Sequence, residues 1–382
     1  MRANTQRTGF RIFLVLAAAV GTLGACGDDD ASETTATAGQ ESIPAVTTVE
    51  STVTGSTTVP AHPTTAPTTA SEVEPWIAYS AGDPTGFPEG VFLVHLDGSD
   101  DHQILSELPD VALSPDWSRD GTRLAVQIAS LESVWVSDAD GSAPEMVLEC
   151  TGPCAVRNPA WSPSGEQLLI VRLDDPDPSA GAAVPEDMPA TATVELLDLA
   201  TGERRDILQS AYPQLLRKPR WSPDASSYVV TVERFDADGA LTGSAIAVGG
   251  LDGSPLRFLT EFDEWAAFAD WHPDDDVIVY GTYTQGSAAS ADQASNLFTI
   301  RADGTDRHAV TTFEPGGTRA AIPRWTPDGE RILFTQIDDP TDADASGLFS
   351  AMASVKPDGT ELERVPLAGR NGDDYTMQPT PG

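Results

Sequence analysis

One short unit recurs five times in this chain and restricts its fold more than any other feature. The segments Asp116-Trp117-Ser118-Arg119-Asp120-Gly121, Pro159-Ala160-Trp161-Ser162-Pro163-Ser164-Gly165, Pro219-Arg220-Trp221-Ser222-Pro223-Asp224, Asp270-Trp271-His272-Pro273-Asp274 and Pro323-Arg324-Trp325-Thr326-Pro327-Asp328-Gly329 each set a Trp before a tight turn. Five of the eight tryptophans occupy this one position. Self-similarity of this kind marks a repeat architecture, in which each unit buries its apolar face against its neighbours. The chemistry is that of a hairpin: Pro presets φ, Asp bonds the local backbone and Gly takes the left-handed conformation. Apolar strands follow at 124–126, 168–171, 228–232, 277–280 and 332–334. The Asp224-Ala225 and Asp274-Asp275 turns lack the Gly, so those two hairpins are expected to be less regular.

A second element, a strand followed by a polar turn, recurs six times, with turns at Asp97-Gly98, Asp140-Gly141, Thr201-Gly202, Asp252-Gly253, Asp303-Gly304 and Asp358-Gly359. Six of these against five Trp turns means that the array enters at Trp76-Ile77-Ala78-Tyr79 without its preceding strand. The last residues, from Tyr375, read as a truncated repeat start, so residues near 375–381 are expected to supply the missing strand. Such pairing closes a ring and removes exposed sheet edges.

The Trp-Ser-Pro-Asp-Gly unit resembles the WD40-like repeat of TolB-type β-propellers, over about residues 73–382. True WD40 arrays carry Gly-His and terminal Trp-Asp signatures, which are missing here. The resemblance implies an all-β, six-bladed β-propeller closed by pairing of N- and C-terminal strands. It further implies that Trp117, Trp161, Trp221, Trp271 and Trp325 pack between blades, and that ligands meet the mouth of a central channel. A solenoid or an open β-sandwich is the alternative fold.

The N-terminus reads as an address. Arg2, Arg7 and Arg11 precede an apolar stretch, 12–23, too short for a comfortable membrane span. It ends Leu23-Gly24-Ala25-Cys26, which resembles a bacterial lipobox. Residues 1–25 are therefore expected to be a signal peptide and Cys26 to be lipidated. Two or three acyl chains would anchor the protein at the outer face of the cell membrane. Residues 26–72, rich in Thr, Ser and Pro and without an aromatic residue, cannot bury enough surface to fold and are expected to form a disordered tether.

Net charge is −37, and residues 1–25 hold three of the 22 basic residues and none of the 59 acids. Such a surface repels nucleic acid. Against this background six basic residues gather shortly before Trp turns: Arg157, Arg217, Lys218, Arg220, Arg319 and Arg324. They admit two readings, a basic ring at the channel mouth that receives a carboxylate or peptide terminus, or cations paired with nearby Asp and Glu to hold blades together. Pairing is the stronger of the two.

Cys150 and Cys154 are expected to form a disulfide outside the cytoplasm, pinning one loop. Asp-rich stretches at 174–177, 236–239 and 338–344 suggest calcium, but none has the full EF-hand spacing, and solvated turns fit them better. No metal or cofactor is expected. There is no Gly-x-Ser-x-Gly elbow, His-Glu-x-x-His motif or phosphate loop. His62, His95, His102, His272 and His308 are scattered. The leading expectation is a monomeric, non-enzymatic binding or scaffolding lipoprotein that presents its propeller to a protein, peptide or cell-envelope partner. Alternatives are an exported glycan-acting hydrolase or lyase using channel carboxylates, and a sensory lipoprotein that binds a small solute.

Overall fold

The computed structural model describes residues 74–82, 88–175, 184–185, 188–282, 294–315, 317–337, 350–365, 367 and 371–380. The expected signal peptide, lipidated Cys26 and tether lie outside the described residues, as do the stretch 338–344 and part of 174–177.

The strands form six four-stranded antiparallel sheets. The first contains β1 (Trp76–Gly82), β2 (Pro88–His95) and β3 (His102–Ile104), and the second β4 (Ala112–Trp117), β5 (Arg123–Ile128), β6 (Ser133–Asp138) and β7 (Glu145–Glu149). The third comprises β8 (Cys154–Trp161), β9 (Gln167–Asp174), β10 (Thr191–Asp198) and β11 (Arg204–Ala211). The fourth comprises β12 (Gln214–Trp221), β13 (Ser227–Phe235), β14 (Leu241–Gly250) and β15 (Arg257–Phe258). The fifth has β16 (Ala266–Trp271), β17 (Val277–Thr282), β18 (Leu297–Arg301) and β19 (His308–Ala309). The sixth has β20 (Arg319–Trp325), β21 (Ile332–Ile337), β22 (Ser350–Val355) and β23 (Glu363–Val365). The last strand, β24 (Asn371–Met377), returns to pair with β1, so the first blade has the order β24-β1-β2-β3.

Six apolar clusters join the six blades, one at each interface. Trp117 packs with Ala78 and Leu93 of the preceding blade, Trp161 with Val134 and Leu148, Trp221 with Leu169 and Val194, Trp271 with Val229 and Ile246, and Trp325 with Val279 and Leu297. Each of these indoles is 6–7% exposed. Two of them also donate back across the interface, Trp117 Nε1 to the Thr376 carbonyl at 3.1 Å and Trp221 Nε1 to the Ala160 carbonyl at 3.0 Å. The sixth interface has no Trp. There Leu333, Met352 and Val365 meet Ile77, Tyr79 and Tyr375, and Met377 stands in the Trp position.

Ring closure comes from the C-terminus, as the repeat count requires, but the closing strand is 371–377 rather than residues near 375–381. Tyr375 is fully buried at the place that Pro115, Pro159, Pro219 and Pro323 hold in other blades, so it sits inside the strand and does not begin it. Gln378 then fastens the join: its N–H donates to the Trp76 carbonyl at 2.7 Å and its Nε2 to the Gly121 carbonyl at 2.7 Å.

The expectation of two irregular hairpins holds for one. Ala225 takes the glycine conformation, φ 58, and its N–H donates to the Ser222 carbonyl at 3.0 Å, as Gly121 does to Ser118 at 2.8 Å. Asp224 accepts from Ser222 Oγ and the Ser226 N–H, and these bonds hold the turn despite the Cβ. The blade-five turn does differ: His272 Nδ1 accepts from the N–H groups of Asp274 and Asp275.

Antiparallel alternation puts all Trp turns and Asp-Gly turns on one face of the ring, here called the turn face. The opposite, loop face carries the connections into each inner strand and those after β1, β5, β9, β13, β17 and β21. The long connections 175–190, 283–296 and 338–349 all leave from it. Variable loops on a rigid scaffold are where binding sites concentrate.

Candidate functional site

The six inner strands, β4, β8, β12, β16, β20 and β24, share one irregularity. Each has two residues opposite a single residue of its neighbour, a β-bulge, as between Leu113 and Asp116 or Arg157 and Ala160. The residue three places before the Trp position has positive φ in every blade: Ser114, Asn158, Lys218, Phe268, Ile322 and Asp374, at 48–55°. None is glycine, so each carries a backbone conformation costing roughly 1 kcal/mol. Neighbouring blades hold these positions. The Ser114 N–H donates to Ser80 Oγ, that of Asn158 to Gln127 Oε1 and that of Phe268 to Thr231 Oγ1.

The bulge turns charged side chains toward the axis, where they form a continuous chain of alternating sign. Arg220 reaches Asp116 two blades away at 2.5 Å and Asp270 at 4.0 Å. Arg324 lies 3.7 Å from Asp270 and 2.8 Å from Asp374. Lys218, on the fourth blade, meets Asp374 on the first at 2.7 Å, so this pair spans opposite sides of the ring. Three cations balance three anions. The acids also secure the interfaces: the Trp161 N–H donates to Asp116 Oδ2 and that of Trp325 to Asp270 Oδ2, both at 2.8 Å.

Burial strains these charges. It raises the Asp116 carboxyl although Arg220 opposes the shift, and raises Asp270 to about 6 against the same arginine. Asp373, next to Asp374, is pushed up to about 7 by burial and by that neighbour's charge, with Lys218 acting the other way. These acids are what sequence reasoning missed. A signal was present: the residue before the Trp is Asp116, Arg220, Asp270 and Arg324 in four blades, an alternation of sign that sequence separation disguises.

The six nominated cations divide. Lys218, Arg220 and Arg324 are engaged in the axial chain, and Arg217 forms an ion pair with Glu233 of its own blade. Arg157 and Arg319 make no ion pair with any described residue. Arg157 occupies on blade three the position that Arg217 occupies on blade four, four residues before the Trp, toward the loop-face end of the channel. Its Nε is fully buried with no hydrogen-bond partner. Burial and the charge of Arg217 push its guanidinium pKa down, with Glu233 opposing.

Elsewhere, Cys150 and Cys154 are joined as a disulfide with Cα atoms 6.0 Å apart, in the connection entering β8. Asp236 accepts from the Asp238 and Ala240 N–H groups of its own turn, and Asp174 lies 3.2 Å from Arg172. Among the described residues no group of three or more His, Cys, Asp or Glu is placed to hold a metal. A shallow cleft of about 330 Å³ opens on blade two, with Asp110, Glu132 and Glu149 around Trp135 and Met146.

No protein-family model and no curated protein matches this sequence. Solved structures do. TolB from Acinetobacter baumannii aligns over 80% of this chain and 66% of its own, with TM-score 0.57 and 15% identity. This chain thus spans about two thirds of that protein's length. A TolB-designated protein from Agrobacterium tumefaciens aligns over 79% of this chain and 92% of its own, with TM-score 0.51 and 18% identity. A chain of a nidogen/laminin complex aligns with TM-score 0.54 at 9% identity, over 80% of this chain and 99% of that one. Likeness at such identities is likeness of fold. The repeats and the strand order make this chain a six-bladed β-propeller, and its fold is like that of the TolB structures.

Proposed function

We propose that this protein is a surface-tethered, non-enzymatic binding or scaffolding lipoprotein, anchored through Cys26, whose loop face presents a site for a protein, peptide or cell-envelope ligand. The observation that carries this reading is the axial charge chain. Catalysis by channel carboxylates needs an acid and a base free to reach substrate in a cavity. Asp116, Asp270 and Asp374 instead each have an arginine or lysine as partner, and Lys218 crosses the axis. Recognition then falls to the loop face of the ring.

The test is photo-crosslinking on intact cells. Photoreactive residues at Glu132 and Asp238, exposed on the loop face, are expected to capture one partner, whereas those at Asp303 and Asp358 on the turn face are not. Equal capture from both faces, or no capture together with turnover of an envelope glycan, overturns the reading.

One observation favours a second reading, a glycan-acting enzyme. Asp373, with its carboxyl raised to about 7, has the protonation behaviour of a general acid at neutral pH and adjoins Asp374. Activity abolished in Asp373→Asn, with folding intact, would establish it.

A further inference from the structure

Arg157 is an anomaly in a molecule with 59 acids and 22 bases. Nearly every other cation near the axis has a carboxylate within ion-pair distance, yet Arg157 has none among the described residues and its buried Nε lacks an acceptor. A buried donor left unsatisfied costs about 1–3 kcal/mol, more when charged. The neighbouring guanidinium of Arg217 adds repulsion, and the one acid that acts on Arg157, Glu233, is already paired with Arg217. Two positive charges against one negative leave this corner of the channel at +1, while the axial chain below it is neutral. A single-charge planar anion removes the excess and supplies the acceptor; a dianion would replace +1 with −1, inside an acidic molecule that already repels polyanions.

We propose that Arg157, supported by Arg217, forms a binding site for one carboxylate group of a ligand at the loop-face end of the channel. Guanidinium favours carboxylate because its fork of N–H donors matches the two oxygens. The site rests on the reading of the loop face as the ligand-presenting surface and gives that ligand a chemical class: it carries a free carboxylate, such as a peptide C-terminus.

The test uses the full-length protein in detergent, labelled with ¹⁵Nε-arginine, and two probes, N-acetyl-Ala-Ala and its C-terminal amide. The Arg157 Nε–Hε resonance, assigned by its loss in Arg157→Lys, is expected to shift saturably with the acid and not with the amide. Calorimetric affinity for the acid should fall at least tenfold in Arg157→Met, with unfolding of that variant still cooperative. Equal shifts from acid and amide, no shift from either, or tighter binding of inorganic phosphate than of the acid overturns the site. If the variant unfolds, the wild-type comparison of acid with amide still decides. Loop-face crosslinking that survives Arg157→Met while the acid fails to bind would sink the carboxylate site and leave the wider binding reading standing.

Discussion

Asp374 is where the closing strand, the backbone bulge and the axial charges meet, so Asp374→Ala tests the whole arrangement at once. Its carboxylate is 4% exposed and accepts from Lys218 Nζ at 2.7 Å and Arg324 Nη2 at 2.8 Å. Arg324 keeps Asp270 at 3.7 Å, but Lys218 has no second ion-pair partner among the described residues. Removing one partner of a buried pair costs about 3–5 kcal/mol, because the remaining charge is left uncompensated. We take about 4 kcal/mol. Unfolding entropy near 2.1 cal/mol/K per residue over about 300 residues gives roughly 0.6 kcal/mol/K, so Tm should fall by about 6 °C. The assay is calorimetric unfolding of wild type, Asp374→Ala, Lys218→Met and the double variant at pH 7. A coupling energy above about 1 kcal/mol between the two positions is expected, since they share one interaction. A Tm change under about 1 °C, or strictly additive effects, would refute the view that this pair ties opposite blades together.

Three further outcomes follow from the same geometry. Asp373 has its carboxyl raised from the ordinary 3.8 to about 7, so its protonated form stabilises the fold fully below about pH 4 and that contribution is lost as pH rises to 7; Asp373→Asn should gain in Tm over wild type at pH 8 and differ little at pH 4, and a pH-independent difference contradicts this. A Cβ on Gly121, φ 69, would meet the Pro379 carbonyl oxygen at 2.1 Å, whereas one on Gly202, also φ 69, meets nothing within 4 Å; Gly121→Ala should therefore lose clearly more than the roughly 1 kcal/mol left-handed cost shown by Gly202→Ala, and equal losses by chemical denaturation would place the C-terminal tail elsewhere. Deleting residues 371–382 removes the inner strand of the first blade and exposes the edge of β1; cooperative unfolding should be lost and self-association appear in ultracentrifugation, and an unchanged melting profile speaks against ring closure.

The sequence by itself determined the architecture. A Trp before a hairpin turn, repeated five times, and a polar turn after a strand, repeated six times, are local patterns, and counting them required a ring completed from the C-terminus. Local chemistry misjudged two details. Ala225 holds a glycine conformation because Ser222 and Asp224 bind the turn from both sides, and the closing strand lies at 371–377 because Tyr375 fills an interblade slot that only packing reveals. The basic cluster was also legible, but its division was not. Whether a cation is paired depends on acids brought to it from distant blades: Asp116 lies 104 residues from Arg220, and Asp374 lies 156 from Lys218. Charge interactions act across space, so the alternation of sign at the residue before the Trp does not say which charges meet. Only the closed ring, with a bulge in every inner strand turning charged side chains toward a common axis, decided that Lys218, Arg220 and Arg324 are held internally while Arg157 has no carboxylate partner among the described residues.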